Sequence, residues 1–423
     1  MRIIYIHKDK FQKRPPVISA VMILNDLGHK VTVITEDMSE YWANVFEERN
    51  MDYLMISSDY GQGGLKGIFS KFKSYIGFRK KAKSFIEEIK RQGEEPVLWI
   101  EGAQTIVSLG TFIKKYRYVL QIQELHTNSK LQLRSIGKVI SSASVVFMPE
   151  YNRTVLYKVW FNLEKRPYVL PNKPYFLPSE TDLRNVKAKY QNIFDDLRGK
   201  KIILYQGGIS KVRNLDNFIN AAKTLGDDFM FVLLGPNQNG TVETLKPLWE
   251  NVCHIDFIPA PDYLAITSIA YIGIVSYIPN TLNNAYCAPN KMYEYGAFGI
   301  PMVGNEIPGL KLIEDIHAGV LVDESDINSI ADAYKIIIAG YDTYSQSSKK
   351  LYSSTNNKQT IEVALNNIKW KTNNSRLWLH TIPVRVVWPV VRSVQQMRYL
   401  FNLIKKNFYI LQSKQMIVCV AIS

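Results

Sequence analysis

The sequence predicts an α/β protein made of two domains, each built on a parallel β-sheet. Short apolar runs of four to six residues alternate with helical patterns through both halves of the chain, which is typical of parallel sheets covered by helices on both faces. The length of 423 residues is comfortable for two such domains. A proline-rich connector, YVLPNKP at residues 168–174, divides the series. We therefore expect two Rossmann-like domains that face a central cleft.

The first domain is expected to span residues 1–171. A helix is predicted at residues 16–27 and is closed by Gly28, because glycine readily adopts the left-handed conformation that ends helices. The predicted strands of this domain are the apolar runs at residues 3–6, 31–35, 53–56, 97–100, 118–122 and 144–148.

The second domain is expected to span residues 172–355. Ligands of open α/β sheets bind beyond the carboxyl ends of the strands, so the loops that follow its strands are where we expect a site. The predicted strands are residues 201–205, 229–234, 252–257, 272–275, 302–304 and 319–322, and the predicted helices are 215–224, 260–269, 290–298, 309–315 and 327–338.

The composition is that of a soluble globular protein, with 46% hydrophobic and 21% charged residues. The three cysteines, Cys253, Cys287 and Cys419, have no paired spacing, which disfavours a disulfide framework or a zinc site and favours a reducing compartment. The N-terminus is too short an apolar run for a signal peptide, and no stretch is long and apolar enough to span a bilayer. We expect a cytoplasmic protein.

The formal net charge of +14 is unevenly placed. Nine Lys and Arg residues and no acid follow Glu362, so residues 371–423 are predicted to form a basic amphipathic tail. A second acid-free run, residues 66–83, mixes basic with aromatic residues, which favours an anionic lipid surface or nucleic acid as partner, with a solvated face as the alternative. The candidate surface residues are Lys66, Lys71, Lys73, Arg79, Lys80 and Lys81.

A glycine-containing loop follows the first strand of the second domain. Gly207 and Gly208 allow the backbone to approach a ligand closely, and Lys211 and Arg213 could meet a diphosphate. The loop is neither a Walker loop nor the dinucleotide fingerprint Gly-x-Gly-x-x-Gly. A plain tight turn is the alternative interpretation.

The predicted helix at residues 290–298 also carries candidate ligand contacts. Its start at Asn290 places free backbone N–H groups and a positive helix end at the edge of the sheet, where Lys291 adds charge. Glu294 follows one turn later on the same side and could accept both hydroxyl groups of a ribose. A structural salt bridge is the alternative for this acid.

Residues 289–309 (PNKMYEYGAFGIPMVGNEIPG) resemble the donor-site signature of the group 1, retaining GT-B glycosyltransferases, of the bacterial surface-polysaccharide type. The loop 207–214 and the connector at 170–172 are similar to that family as well. The resemblance implies the GT-B fold and a helix, here residues 356–370, that crosses back to the first domain.

The resemblance also implies roles for individual residues. The glutamate that holds the nucleotide ribose corresponds to Glu294, and the phosphate-binding lysine of the loop corresponds to Arg213. The phosphate-binding backbone amides correspond to Asn290 and Lys291.

Two positions depart from the signature. Tyr286 stands where the family has a glutamate that contacts the donor sugar, eight residues before Glu294. Gly208 stands where the loop has an arginine, and Lys211 is a candidate replacement for its charge.

In the first domain, the family often has a histidine and an acid near the reacting sugar. Gln123 occupies the usual histidine position, which leaves His126 and Glu124 as the candidate catalytic pair, with a surface histidine as the alternative. Glu101 and Gly102 are further candidates for the cleft.

The expected function is transfer of a sugar, with retention, from a nucleoside diphosphate sugar to a glycan or lipid-linked acceptor in cell-surface polysaccharide biosynthesis. No Asp-x-Asp motif is present, so no metal and no other cofactor is expected. Expected partners are the donor, the acceptor and an anionic membrane surface at the inner face of the membrane, but no nucleic acid, since no recognition motif accompanies the charge. The alternatives are a nucleotide-sugar epimerase and a non-catalytic GT-B partner subunit.

Overall fold

The computed structural model describes residues 1–57 and 64–368, with the side chains of residues 64–69 left out of the description. The predicted tail, residues 371–423, and the last two residues of the predicted crossover helix, 369–370, lie outside the described part.

The first domain is a seven-stranded sheet with helices on both faces. The strand order is β3-β2-β1-β4-β5-β6-β7, and every neighbouring pair is parallel. Its elements are β1 (Arg2–His7), α1 (Pro15–Asp26), β2 (Lys30–Thr35), α2 (Glu40–Glu48), β3 (Asp52–Met55), α3 (Gly64–Arg91), β4 (Val97–Glu101), α4 (Ala103–Leu109), β5 (Arg117–Gln121), α5 (Lys130–Gly137), β6 (Val145–Met148), α6 (Tyr151–Trp160) and β7 (Tyr168–Val169).

The central strands are apolar because both faces of this sheet are covered there. Along β1, Ile3 and Tyr5 join one hydrophobic cluster, with α1, and Ile4 and Ile6 join another, with α3 and α4. Complete burial of such a side chain contributes roughly 1.5–3 kcal/mol. Burial on both faces therefore explains why the strands read as continuous apolar runs.

The second domain repeats this design with a six-stranded, all-parallel sheet of order β10-β9-β8-β11-β12-β13. Two helices, α7 (Glu180–Lys189) and α8 (Gln191–Asp196), precede it. Its elements are β8 (Lys201–Gln206), α9 (Asp216–Lys223), β9 (Phe229–Leu234), α10 (Thr241–Leu245), β10 (Val252–Ile255), α11 (Leu264–Thr267), β11 (Ala270–Val275), α12 (Leu282–Ala285), α13 (Asn290–Phe298), β12 (Met302–Asn305), α14 (Lys311–Asp315), β13 (Gly319–Val322), α15 (Ile327–Ala339), α16 (Tyr341–Ser354) and α17 (Asn357–Asn366).

The strand order reverses once in each sheet, between β1 and β4 in the first domain and between β8 and β11 in the second. Loops on the two sides of such a switch point turn away from each other and leave a crevice at the carboxyl ends of the strands. The loops after these four strands are therefore the ones placed to form a ligand site.

The last described helix returns to the first domain. Ile361, Ala364 and Leu365 of α17 are buried in the cluster that also contains residues of α1. The helix α16, which the sequence pattern did not predict, packs along α13, where Gly296 lies against Ser348 and Leu351. Both helices bury apolar residues that would otherwise face water.

One predicted helix was wrong in extent. Residues 260–269 were expected to be helical, but α11 begins only at Leu264. Prolines at 259 and 261 explain this, because proline lacks the N–H group that a helix interior requires and restricts the residue before it.

Two loops of the second domain meet so closely that glycine is required. Gly235, which follows β9, has φ +134°, and a Cβ built on it would lie 2.3 Å from the carbonyl oxygen of Gly207. Gly207 N–H in turn donates to the Leu234 carbonyl at 2.8 Å. A side chain at Gly235 would force the loops after β8 and β9 apart.

Gly235→Ala should therefore lower the free energy of unfolding by about 3 kcal/mol, since both the backbone strain and the overlap with a backbone oxygen oppose it. Gly226→Ala is the matched control: Gly226 has φ +86° but a Cβ there meets nothing within 4 Å. We expect that control to lose only about 1 kcal/mol. Urea unfolding followed by circular dichroism measures both, and equal losses would contradict the close-approach argument.

Candidate active site

A cavity of about 470 Å³ lies between the two domains, where the switch-point loops face each other. This volume is in the range of small-molecule sites. The first domain and the connector contribute Lys13, Arg14, Pro15, Pro16, Glu101, Gln123, Glu124 and Asn172. The second domain contributes Gln206, Gly207, Gly208, Leu234, Gly235, Pro236, Phe257, Ile258, Tyr263, Tyr277, Ala288, Pro289, Asn290, Lys291 and Glu294.

Two cations of the second domain lie near the ring of Tyr277, which lines this cavity. Lys291, in the first turn of α13, is buried with its Nζ 3.9 Å from the ring centroid of Tyr205 and 5.7 Å from that of Tyr277. The guanidinium carbon of Arg213 lies 4.2 Å from the centroid of the same Tyr277 ring. Tyrosine ring faces attract cations, so the two rings hold both positive groups in place.

Neither cation has a carboxylate partner in the described part of the chain. Within that part, no carboxylate oxygen lies within 4.0 Å of the Lys291 or Arg213 nitrogens. Burial, together with the charge of Arg213, lowers the pKa of Lys291 to about 7. The buried Nε of Arg213 makes no hydrogen bond to the described residues. An anion is the ligand that these groups lack.

The loop after β8 leaves room for such an anion. Gly207 has φ +125°, and a Cβ on it would lie 3.6 Å from Lys291 Nζ. Any side chain at this position would therefore fill the space beside the ammonium group. Gly208 also lines the cavity, next to the side chain of Gln238.

Glu294 is buried one turn after Asn290, on the cavity wall. Its Oε1 accepts a hydrogen bond of 2.6 Å from the Tyr263 hydroxyl, and its Oε2 accepts one from Gln206 Nε2. Burial raises the pKa of Glu294, while these two hydrogen bonds act in the opposite direction. Each carboxylate oxygen keeps a second lone pair, so the fixed carboxylate can still accept from hydroxyl groups of a ligand.

The start of α13 is anchored from the first-domain side. Asn172 Nδ2 of the connector donates to the Ala288 carbonyl at 2.8 Å. Asn290, the first residue of the helix, lines the cavity. The positive end of the helix therefore faces the same space as Lys291.

An exposed aromatic residue stands at the second-domain wall. Phe257, after β10, lines the cavity with 68% of its surface accessible. Sequence reasoning missed it, along with Tyr205, Tyr263 and Tyr277. Aromatic residues make up 12% of this chain, so their type alone gave no signal.

Most of the predicted donor residues are brought together here. Gly207, Gly208, Asn290, Lys291 and Glu294 line the cavity. Arg213 lies directly behind the lining, against Tyr277. Lys211 is exposed, on the short 3₁₀ turn that also holds Arg213.

Tyr286 lies elsewhere. Its half-buried ring packs against the hydrophobic cluster of the first domain that includes Met148 and Tyr157, and it is not one of the lining residues. Burial raises the pKa of its hydroxyl. The ring therefore contributes to the contact between the two domains.

Arg153, at the start of α6, ties this contact together. Its buried guanidinium donates to the Tyr286 carbonyl at 2.6 Å and to the Asn283 carbonyl at 3.0 Å in the second domain. It also donates to the Gln123 carbonyl in the first domain. One side chain thus connects the loop after β5 with the segment that leads into α13.

The predicted catalytic pair is only partly at the cavity. Glu124 lines it, with its carboxylate 3.7 Å from Arg153 Nη1. His126 is not a lining residue: its Nδ1 lies 3.1 Å from Gln132 Oε1, and its buried Nε2 has no partner among the described residues. Burial lowers the pKa of His126, which favours a neutral ring.

A second histidine forms a pair at the cavity that sequence reasoning did not assign. His7 ends β1 and Glu101 ends β4, and the two residues are neighbours across the parallel strands. His7 Nδ1 lies 2.6 Å from Glu101 Oε2, with both side chains buried. Glu101 itself, a candidate from the sequence, lines the cavity.

The basic run lies on α3, a 28-residue helix. Lys71, Lys73, Arg79, Lys80 and Lys81 are all exposed, while the side chain of Lys66 falls outside the described residues. Two large apolar side chains, Phe72 and Ile76, are also exposed there, at 62% and 53%. None of the described helices combines the length and the apolar composition that crossing a bilayer requires.

Known protein families and solved structures show what this chain is similar to. Residues 200–339, about a third of the chain, match the sequence profile of a family described as "Glycosyl transferases group 1". A search of curated proteins gives no match.

Solved structures match over most of the chain. HepE of Anabaena in complex with UDP has 12% identity and a TM-score of 0.61, with 86% of this chain and 98% of that chain covered. A glycosyltransferase from Rickettsia africae has 14% identity and a TM-score of 0.57, with coverage of 87% and 96%. WaaG, a glycosyltransferase involved in lipopolysaccharide biosynthesis, has 12% identity and a TM-score of 0.57, with coverage of 86% and 99%. The chain therefore has the GT-B fold, and its second domain is similar to that of the group 1 glycosyl transferases.

Proposed function

We propose that this protein transfers a sugar from a nucleoside diphosphate sugar to a glycan or lipid-linked acceptor, in the biosynthesis of a cell-surface polysaccharide. The observation that carries the proposal is the pair of cations, Lys291 and Arg213, that lack carboxylate partners beside the start of α13. A diphosphate would supply the negative charge that these two cations lack. The likeness to HepE, whose structure is known with UDP-glucose, supports a donor of this class.

In this proposal the second domain holds the nucleotide. Glu294 accepts hydrogen bonds from the ribose, and the backbone N–H groups at Asn290 and Lys291 meet the phosphate oxygens. As the bond to the sugar breaks, negative charge grows on the leaving diphosphate. Lys291 and Arg213 already stand where that charge develops, so they stabilise the transition state without reorganisation.

The same charges make a metal ion unnecessary in the proposed reaction. Two cations and a helix end together offset the charge of a diphosphate, which is the role a divalent ion has in other transferases. Among the described residues, no group of three or more His, Cys, Asp and Glu side chains is arranged to hold a metal. Retention of configuration and a hexosyl donor are proposed on the family resemblance alone.

The first domain is proposed to hold the acceptor near the reacting sugar. Glu124 lines the cavity, and His126, two residues later, contacts Gln132 Oε1 through its Nδ1. Closure of the two domains around the donor would exclude water and limit hydrolysis.

A donor screen tests the function. Nucleoside diphosphate release is measured for UDP- and GDP-sugars, with and without a membrane lipid extract, and with and without EDTA. We expect one donor to be consumed faster with the extract, at a rate that EDTA changes by less than about twofold, because Lys291 and Arg213 supply the charge.

The Glu294→Ala variant is the control for the site. The productive donor should raise the melting temperature of the wild type but not of this variant. Conversion of the donor into another nucleotide sugar without transfer would show an epimerase instead. The absence of both turnover and thermal stabilisation with every donor would refute the proposal.

The buried ammonium of Lys291 predicts a pH-dependent affinity. Its pKa of about 7 lies below the ordinary lysine value, so the charge is present below pH 7 and is lost as the pH rises through 7. Binding of UDP should therefore weaken between pH 6 and pH 8, as measured by calorimetry. Lys291→Met should raise the Kd at pH 6 by about tenfold and remove most of this dependence.

The stability of the fold should change with pH in the direction opposite to the UDP affinity. Because the folded-state pKa of Lys291 is lowered, its charge destabilises the fold below pH 7, and this penalty fades toward pH 10.5. Lys291→Met should therefore not lower the melting temperature at pH 6. Lys223→Met, at an exposed lysine, is the control.

An unchanged UDP affinity in Lys291→Met would contradict the role of Lys291 in donor binding.

We further propose that α3 attaches the protein to an anionic membrane surface. Its exposed lysines and arginine surround the exposed Phe72 and Ile76, a combination that suits negatively charged head groups with shallow apolar insertion. The proposal locates the enzyme at the inner face of the membrane, where a lipid-linked acceptor would be present.

Vesicle sedimentation checks this attachment. Substitution of Lys71, Lys73 and Lys80 by Glu reverses three charges. It should lower binding to phosphatidylglycerol vesicles about tenfold or more at low salt, since each basic residue contributes roughly 1 kcal/mol to the binding free energy. The control reverses Lys223, Lys350 and Lys358, which are exposed on other helices and change the net charge equally. Equal losses in both variants would show a nonspecific charge effect and refute the assignment of α3.

A further inference from the structure

The buried pair of His7 and Glu101 occupies the first-domain side of the switch point. The two residues end adjacent strands and are 3% and 4% exposed. Behind them, the Tyr5 hydroxyl and Trp99 Nε1 both donate to Gln121 Oε1, at 3.0 and 2.9 Å. The pair therefore rests on a fixed layer of the sheet.

The hydrogen bonds leave one oxygen of Glu101 available. His7 Nδ1 contacts Oε2, and in the described part of the chain no protein group bonds to Oε1. The other ring nitrogen, His7 Nε2, is buried without a partner among the described residues. In this contact Nδ1–H is the donor, because a carboxylate oxygen only accepts.

The other two carboxylates that line the cavity are differently placed. Glu294 already accepts from Tyr263 and Gln206. The carboxylate of Glu124 is 49% exposed, with Arg153 at 3.7 Å. Glu101 is thus the buried carboxylate that the first domain presents to the cavity, and a hydrogen bond to a carboxylate is stronger where water is excluded.

We propose that Glu101, held by His7, binds and orients the acceptor hydroxyl group that attacks the donor sugar. This inference rests on the proposed function. The nucleotide residues are on the second domain and Glu101 is on the first, and both line the cavity that would hold the sugar to be transferred. A hydroxyl group that donates to Glu101 Oε1 keeps a lone pair for the attack, which becomes effectively intramolecular. The acceptor oxygen bonds to the anomeric carbon on the side of the leaving group, as retention requires, while the bond from that carbon to the diphosphate oxygen breaks. The hydroxyl proton passes to Glu101 Oε1. His7 is a positioning residue, because it acts through Glu101.

Glu101→Gln tests the proposal, because the amide can still accept from His7 while it turns an N–H donor toward the acceptor hydroxyl. The probes are the productive donor from the screen, the membrane lipid extract as acceptor, and UDP for binding. We expect kcat/KM for transfer to fall about 100-fold. Hydrolysis of the donor without extract, and the Kd for UDP, should stay within about twofold of the wild type.

The outcomes separate this inference from the proposed function. Wild-type levels of transfer in Glu101→Gln would overturn the role of Glu101 and leave the proposed function intact. An equal loss of transfer, hydrolysis and UDP affinity would also overturn it, because a structural or donor-binding role would then account for the loss. A wild type that binds and consumes no nucleotide sugar would overturn both. Glu47→Gln, at an exposed glutamate of α2, is the matched control.

Two variants of His7 test its positioning role. His7→Asn keeps an N–H group near the place of Nδ1, whereas His7→Leu removes it. We expect His7→Leu to lose transfer about as strongly as Glu101→Gln and His7→Asn to recover at least about a tenth of the wild-type rate, with UDP affinity unchanged in both. Equal transfer rates in the two folded variants, checked by thermal melting, would overturn this role.

Discussion

The site depends on two like charges that the fold holds beside each other. Lys291 and Arg213 are kept near the same Tyr277 ring, and their charges oppose each other. Aromatic faces are weaker partners than carboxylates, so the arrangement stores an unfavourable energy that an anion relieves. Burial is the main cause of the lowered pKa of Lys291, and the charge of Arg213 adds to it. A binding site built this way gains affinity from charge already desolvated by folding.

The backbone near these cations is shaped by the same requirement. Gly235 allows the loops after β8 and β9 to touch, and Gly207 keeps the space next to Lys291 free of side chains. The switch point places the end of β8 next to β11, which carries Tyr277 in its following loop. Three features therefore act together. The strand order brings the two loops close, the glycines keep the space beside Lys291 open, and the aromatic rings hold the cations.

Local features of this chain could be predicted and distant pairings could not. The strand at 229–234 and the helix at 290–298 were predicted with the bounds that the structure shows, because apolar period and proline signals are local. The bond between His7 and Glu101 joins residues 94 apart in the sequence, and that between Tyr263 and Glu294 joins residues 31 apart. Such pairs depend on which elements become neighbours in the fold, and the local periodicity of the sequence does not predict that arrangement. The helix α16 escaped prediction for a different reason: its sequence is largely polar, and its burial depends on packing against α13.

The position of Tyr286 shows how a departure from a family signature can be accommodated. Its ring lies in the contact between the domains, and its carbonyl accepts from Arg153 of the first domain, which also donates to the Gln123 carbonyl of that domain. Because one guanidinium binds both segments, a rotation of the domains must break the hydrogen bonds from Arg153 to the Tyr286 and Asn283 carbonyls, or move the loop after β5 together with the segment before α13. The segment that leads into α13 is thus fixed by the first domain rather than by a sugar. On the opposite wall of the cavity, Glu101 is buried and held by His7, so its carboxylate is oriented independently of Tyr286.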